Sequence, residues 1–140
     1  VNVLFVCTAN SCRSQMAESW ARHLFPSDWS TASAGLVTYR ITDRTRWVME
    51  EVGVSMDGQH PKTFDTLDLD GFDLVITLSR EAGRFLPSLA HPDRLVRRPL
   101  DDPMSVSGDS EEVREAFRIG RDKVRVVVQE VVDGHLAPGS

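Results

Sequence analysis

The feature that most constrains this chain is its opening run, Val1 to Val6 (VNVLFV), which is β-branched and aromatic and stops abruptly at Cys7. A short continuous apolar run of this kind reads as a strand buried on both faces, as strands of a parallel sheet are. The stretch from Thr8 to Arg13 is small and polar. From Ser14 the pattern turns helical, with Met16, Ala17, Trp20, Ala21 and Leu24 falling on one face. Strand, tight loop and helix in direct succession commit the chain to a sheet that helices must cover.

The alternation continues. Pro26 closes the first helix, and Trp29 to Ala34 (WSTASA) reads as a second strand ending at Gly35. Thr42 is placed as the N-cap of a helix through Trp47, Val48 and Val52, with Gly53 at its C′ position. A polar connection, Ser55 to Gly71, leads to Asp73 to Leu78 (DLVITL), the clearest central strand. Arg80 to Leu86 is helical before Pro87, Leu95 to Arg98 is a weaker strand, and Pro99 to Gly108 is a loop. The last helix starts on a capping-box-like pair, Asp109 and Glu112, and carries a stripe of Val113, Phe117, Gly120, Val124, Val127, Val128 and Val131 that can cover a sheet face. Gly134 ends it, and the tail from His135 to Ser140 is expected to be loose.

The predicted fold is therefore α/β: one doubly wound domain over residues 1–140, with a four-stranded parallel sheet flanked by helices on both faces. A chain of 140 residues with 41% hydrophobic content carries enough apolar material for one such core, and it shows neither internal repeats nor low-complexity segments. Sheets of this type bind ligands beyond the carboxyl ends of their strands, where the strand order reverses. Cys7 lies at such an end.

The segment C7-T-A-N-S-C-R13-S14 sets a thiol at the end of a strand and a guanidinium six residues later, at the mouth of a helix. Backbone N–H groups of Thr8, Ala9, Asn10, Ser11 and Cys12 can point inward as a nest, the helix N-terminus adds partial positive charge, and Arg13 can grip two oxygens through its planar fork. A phosphate-like anion would sit there above the Cys7 sulfur. The same field favours the thiolate, so Cys7 is the candidate nucleophile and Arg13 the candidate clamp. Ser14 can donate a hydrogen bond to the thiolate, and Asn10 can brace the loop.

Phosphoryl transfer to a thiolate also needs a group that protonates the departing oxygen and later activates water. Asp102 precedes Pro103, which restricts its backbone to extended conformations and so fixes where its side chain points; Asp101 competes for the role.

The formal charge of −5 and a pI near 5.3 argue against a surface built for nucleic acid or anionic membrane, so any anion must be held locally. Two cysteines, no apolar run near the roughly 18 residues that span a bilayer, and no basic-plus-apolar leader point to a reducing cytoplasm. His23, His60, His91 and His135 are scattered at no metal-ligand spacing, so neither metal nor other cofactor is expected. Arg44, Arg46, Arg97 and Arg98 read as solvated charges.

Over nearly its whole length the chain resembles the low-molecular-weight protein tyrosine phosphatases and the arsenate reductases that share their fold. The resemblance rests on CTANSCRSQMAE, the Ser33-Ala34-Gly35 step, Asp73 to Leu78 and the Asp102-Pro103 pair. It implies a four-stranded parallel sheet, a cysteinyl-phosphate intermediate, no metal, and Asp102 as the acid. It also implies redox protection by Cys12, which in such phosphatases traps the oxidised nucleophile as a reversible disulfide.

Around the nucleophile, Asn10, Cys12 and Gln15 to Glu18 look closer to the arsenate reductases. Thioredoxin-coupled members of that branch carry two further cysteines, at places held here by Ser79 and Leu86. Many of the phosphatases follow the acid with aromatic residues that wall the substrate ring, whereas this chain has Met104, Ser105 and Val106; Tyr39 and Trp47 are the candidate walls instead. The leading expectation is phosphomonoester hydrolysis, on a protein phosphotyrosine or a small aryl phosphate. The alternative is arsenate reduction with an external thiol reductant of glutathione, mycothiol or glutaredoxin type. A non-catalytic oxyanion-binding module is the reading of a third class.

Overall fold

Strand β1 (Asn2–Cys7) shows why the opening run had to be apolar on every position from Val3 on. Val3 and Phe5 enter one hydrophobic core, Leu4 and Val6 enter another, and all four are fully buried. In this computed structural model, which describes residues 1–136, β1 lies inside a four-stranded sheet with β2 (Ser30–Gly35), β3 (Leu74–Thr77) and β4 (Leu95–Arg97). The order is β2-β1-β3-β4 and every pairing is parallel. In β3 the same division recurs, with Leu74 and Ile76 on one face and Val75 on the other.

Helices α1 (Arg13–Leu24) and α4 (Ser110–Val132) pack against each other over the first face, and α2 (Asp43–Glu50) joins α4 there. The whole predicted stripe of α4, from Val113 to Val131, is buried. The opposite face is covered by α3 (Arg80–Phe85), whose Ala82 is buried, and by single 3-10 turns at Phe64–Thr66 and Leu69–Gly71. One four-stranded parallel sheet in one domain, helix-covered on both sides, is the fold predicted, with element ends moved by a residue or two.

The helix ends follow local chemistry. The Thr42 hydroxyl caps α2 and the Asp109 carboxylate caps α4, the latter accepting from the Glu112 N–H at 2.8 Å. The hydrogen-bonded helix α2 stops at Glu50, short of Val52. Gly53 sits in the left-handed region, with its N–H on the Glu50 carbonyl and the Val54 N–H on the Met49 carbonyl, as a C′ glycine does. The tail is held further than expected: the His135 N–H reaches the Glu130 carbonyl and Leu136 packs on the core, while residues 137–140 of the expected loose tail lie outside the described residues.

The apolar face of α1 packs on the core as expected, and burial extends round the helix: every residue from Arg13 to Ala21 is buried. Its polar side is covered by the connection after α2: Gln59 donates to the Gln15 side chain at 2.9 Å, and Ser19 donates to Gln59 at 2.7 Å. Glu18, also buried, is held by Arg22 at 2.6 Å and by the Ser33 hydroxyl of β2 at 2.7 Å. Buried polar groups persist only where partners complete them, and here each has one.

Strands β2 and β3 flank β1, and the chain leaves β1 toward one side and returns on the other. The carboxyl end of β1 is thus the switch point at which such sheets open a crevice. Cys7 is its last residue. No helix among the described residues is long and apolar enough to cross a membrane.

Candidate active site

Between Cys7 and Arg13 the backbone wraps tightly and is held from outside. Asn10 adopts φ 50°, the left-handed region that short polar side chains tolerate. The carbonyl of Thr8 accepts from the N–H groups of Leu36 and Val37, and that of Ala9 accepts from Tyr39. The loop also runs directly over Gly35, where a Cβ would lie 2.7 Å from the Asn10 nitrogen, so only glycine fits beneath it. With the carbonyls drawn outward, the N–H groups from Ala9 to Arg13 have no protein acceptor among the described residues. A nest of free N–H donors at the start of a helix is an anion cradle.

Behind the loop, Asn10 and Ser14 are fully buried and set the polarity of the sulfur's hydrogen bond. The Asn10 Oδ1 accepts from the Lys62 backbone N–H and from Gln15 Nε2, each at 2.9 Å, which fixes the amide orientation. Its Nδ2 therefore donates to Ser14 Oγ, at 2.8 Å. That leaves the Ser14 proton for Cys7 Sγ, also 2.8 Å away.

Arg13 is buried, and its Nη1 donates to the Leu100 carbonyl at 2.9 Å and lies 3.5 Å from that of Leu78. Its Nη2 is 3.7 Å from Asp102 Oδ2. Asp102 caps the turn Pro103–Ser105 by accepting from the Met104 N–H at 2.9 Å. Pro103 rests on α4 at Gly120, where an added Cβ would come within 2.5 Å of the proline Cγ.

Cys7, Thr8, Ala9, Ser11, Cys12, Arg13 and Asp102 together line one cleft of about 150 Å³, walled by Tyr39 and Met104. Asp101 does not line it; it faces the adjoining cleft beside Thr8, Arg80 and Glu81. Trp47 is also absent from it; its ring packs under Arg114 and Arg118, and it lines a neighbouring groove that meets the cleft at Met104.

Cys12 is buried, and that burial pushes its thiol up to about 12 despite a hydrogen bond with the Thr45 side chain. It is a neutral thiol at pH 7.

Ser79 and Glu81 brace the loop through Thr8, a support that no local sequence pattern announces. Thr8 Oγ1 donates to Ser79 Oγ at 3.0 Å and to Glu81 at 3.3 Å, and Ser79 in turn caps α3. A hydrogen bond from its own backbone N–H holds the Glu81 carboxyl below the usual range, with the Thr8 hydroxyl and the Arg13 charge adding to it. Two of the arginines expected to be solvated make protein contacts: Arg98 forks onto Glu130, with Nη2 at 2.9 Å from Oε1, and Arg97 Nε donates to the Gly83 carbonyl at 3.1 Å. Arg44 lies over the Phe117 ring. Among the described residues no group of three or more His, Cys, Asp or Glu side chains is placed to hold a metal ion.

Residues 2–135 match the family described as low molecular weight phosphotyrosine protein phosphatase. The chain belongs to that family. Within it, the chain is 34% identical over 122 residues to the arsenate reductase of Halalkalibacterium halodurans, covering 87% of this chain and 88% of the relative. It is 31% identical over 127 residues to that of Staphylococcus aureus strain Newman, covering 91% and 92%. Among solved structures, an arsenate reductase in its phosphate-binding state superposes with a TM-score of 0.82 at 32% identity, over 95% of this chain and 97% of the other. A low molecular weight protein tyrosine phosphatase from T. tengcongensis superposes with a TM-score of 0.76 at 23% identity, over 96% and 99%, a likeness of fold. Members of this family act on phosphate or arsenate, both tetrahedral oxyanions.

Proposed function

We propose that this member hydrolyses phosphomonoesters, aryl phosphates foremost, in the cytoplasm, with Cys7 as nucleophile, Arg13 as clamp and Asp102 as acid and then base. The observation that supports the reading is that all three line one small cleft. The phosphoryl oxygens take the free N–H groups of the loop and the Arg13 guanidinium, which match the charge spread over the equatorial oxygens in the transition state. Cys7 sulfur attacks phosphorus, the P–O bond to the leaving group breaks, and Asp102 delivers its proton to that oxygen. The carboxylate then takes a proton from water, whose oxygen attacks phosphorus and expels the Cys7 thiolate, which the Ser14 hydroxyl stabilises. Thr8, Ala9, Ser11 and Cys12 shape the cradle, and Asn10 holds it. Cys12 serves as redox protection.

The relatives support a second reading, thiol-dependent arsenate reduction. Ser79 and Leu86 carry no sulfur, so the electrons come from an external thiol: it attacks the Cys7 sulfur of the arsenate adduct, arsenite leaves, and a second thiol reduces the mixed disulfide. One assay separates the two. Aryl-phosphate hydrolysis is compared with arsenate reduction under glutathione, mycothiol and dithiothreitol, with Cys7→Ser as control. Hydrolysis abolished by Cys7→Ser and slowed about 10²- to 10⁴-fold by Asp102→Asn on poor leaving groups is the expected result. Reduction without hydrolysis would transfer the assignment to the second reading, and activity in Cys7→Ser would remove Cys7 from both.

A further inference from the structure

We propose that the groove beside the Cys7 cleft is a docking subsite for a carboxylate-bearing segment of a phosphorylated polypeptide, with Arg40, Arg44 and Arg114 as its anion-binding residues. The proposal rests on the hydrolase reading and extends it to the class of substrate.

The groove has a volume of about 810 Å³ and shares Met104 with the Cys7 cleft, so the two are continuous. The cleft, at about 150 Å³, has room for a phosphoryl group and little of what bears it. One way out for the remainder of a larger substrate runs past Met104, over Trp47 and Val106, both exposed.

Charge decides what such a segment carries. Among the described residues the arginines that hold carboxylates are Arg13, Arg22, Arg98, Arg118 and Arg121. Arg40, Arg44 and Arg114 hold none. Each is instead stacked on an aromatic ring, Arg40 at 5.9 Å from the Tyr39 centroid, Arg44 at 5.8 Å from that of Phe117 and Arg114 at 5.1 Å from that of Trp47. Stacking occupies the face of a guanidinium and leaves its N–H edge available to a carboxylate. Asp43 is the only carboxylate along the described walls. Three unpaired cations converging on one groove, in a chain of net charge −5, complement an acidic ligand that must be steered to this face.

The test uses two phosphotyrosine peptides that differ only in Glu or Gln around the phosphorylated residue. Binding to the Cys7→Ser protein is read by fluorescence anisotropy, and hydrolysis of p-nitrophenyl phosphate by the wild type is followed in parallel. The Glu peptide is expected to bind about tenfold more tightly at low salt, the product of three exposed ion pairs. That ratio falls to about one in the triple variant Arg40→Ala, Arg44→Ala, Arg114→Ala, and also in about 1 M salt, where screening reaches about 3 Å. All three side chains are exposed, and the single variant Arg44→Glu, which should cut the preference for the Glu peptide to about twofold, guards against loss of fold in the triple one. Equal affinity for the two peptides, or a preference that survives the triple replacement, overturns the subsite. Displacement of the Glu peptide by glutathione at comparable concentration overturns it too, and gives the groove to a carboxylate-bearing thiol donor. Failure to hydrolyse p-nitrophenyl phosphate sinks the hydrolase reading alone, because the binding ratio still judges the groove.

Discussion

Cys7 and Cys12 border the same cleft and meet opposite surroundings. The sulfur of Cys7 accepts a hydrogen bond from the Ser14 hydroxyl, whereas Cys12 is buried and its thiol is pushed up to about 12. This bears on redox protection. Hydrogen peroxide gives one oxygen to the Cys7 thiolate, forming the sulfenic acid and releasing hydroxide; rescue needs the Cys12 thiolate to attack that sulfur, forming the disulfide and releasing a second hydroxide. Because the reactive fraction of Cys12 grows about tenfold per pH unit below 12, rescue should be slow at pH 7 and much faster at pH 9. Mass spectrometry after a peroxide pulse should show the Cys7–Cys12 disulfide rising with pH, and dithiol should restore wild type more fully than Cys12→Ala at pH 9. Equal recovery of the two proteins at both pH values would remove Cys12 from this role. At the residue scale the cradle was legible because its chemistry is consecutive, from Cys7 to Ser14. What braces it was not: Lys62 donates to Asn10 and Gln59 to Gln15 across more than forty residues of chain, and no local spacing announces such partners.

At the scale of elements, α4 supports the turn that carries Asp102, the proposed acid. Gly120 faces Pro103, and the turn that Asp102 caps rests on that contact. Glycine inside a helix costs about 1 kcal/mol relative to alanine, so by propensity alone Gly120→Ala would stabilise the protein. The geometry predicts the reverse, since a methyl at 2.5 Å from a rigid proline ring must push the turn away or open the helix. Gly120→Ala should therefore lower kcat for aryl phosphates with poor leaving groups by about tenfold, with KM nearly unchanged, and should not raise Tm. A variant with higher Tm and unaltered kcat would show that Pro103 does not position Asp102. Gly120 was legible as part of the helical stripe, and its partner was not, because an Asp-Pro turn carries no sign of the surface it will pack on. Helix α1 shows the same limit. Its apolar face was readable from period, while its buried polar face answers to a connection with no period of its own.

For the molecule as a whole, ionisation bounds the range in which α4 stays fastened. The Arg98 hydrogen bond holds the Glu130 carboxyl below its ordinary value of 4.5, and hydrogen bonds from Arg118 and then Arg121 do the same to Glu51. A carboxylate depressed in the folded state contributes stability that is present above 4.5 and lost as pH falls below it. Glu51 ties the end of α2 to α4, and Glu130 ties α4 to the residue that follows β4. Acid therefore loosens the helix on which Pro103 rests. Cys12 works in the other direction: its raised thiol contributes stability that is intact below 9.0 and lost as pH climbs toward about 12. The two limbs differ in steepness. The carboxylates are screened by solvent, whereas Cys12 is buried, so the alkaline limb should approach the limit of about 1.4 kcal/mol per pH unit for one proton. Urea midpoints measured from pH 3 to 11 should be level between about 4.5 and 9 and fall more steeply on the alkaline side. Glu130→Gln should flatten the acid limb, and Cys12→Ala, although less stable throughout for lost packing, should flatten the alkaline one. An alkaline slope identical in wild type and Cys12→Ala would mean that the thiol is not held in the buried, protonated state from which this asymmetry follows.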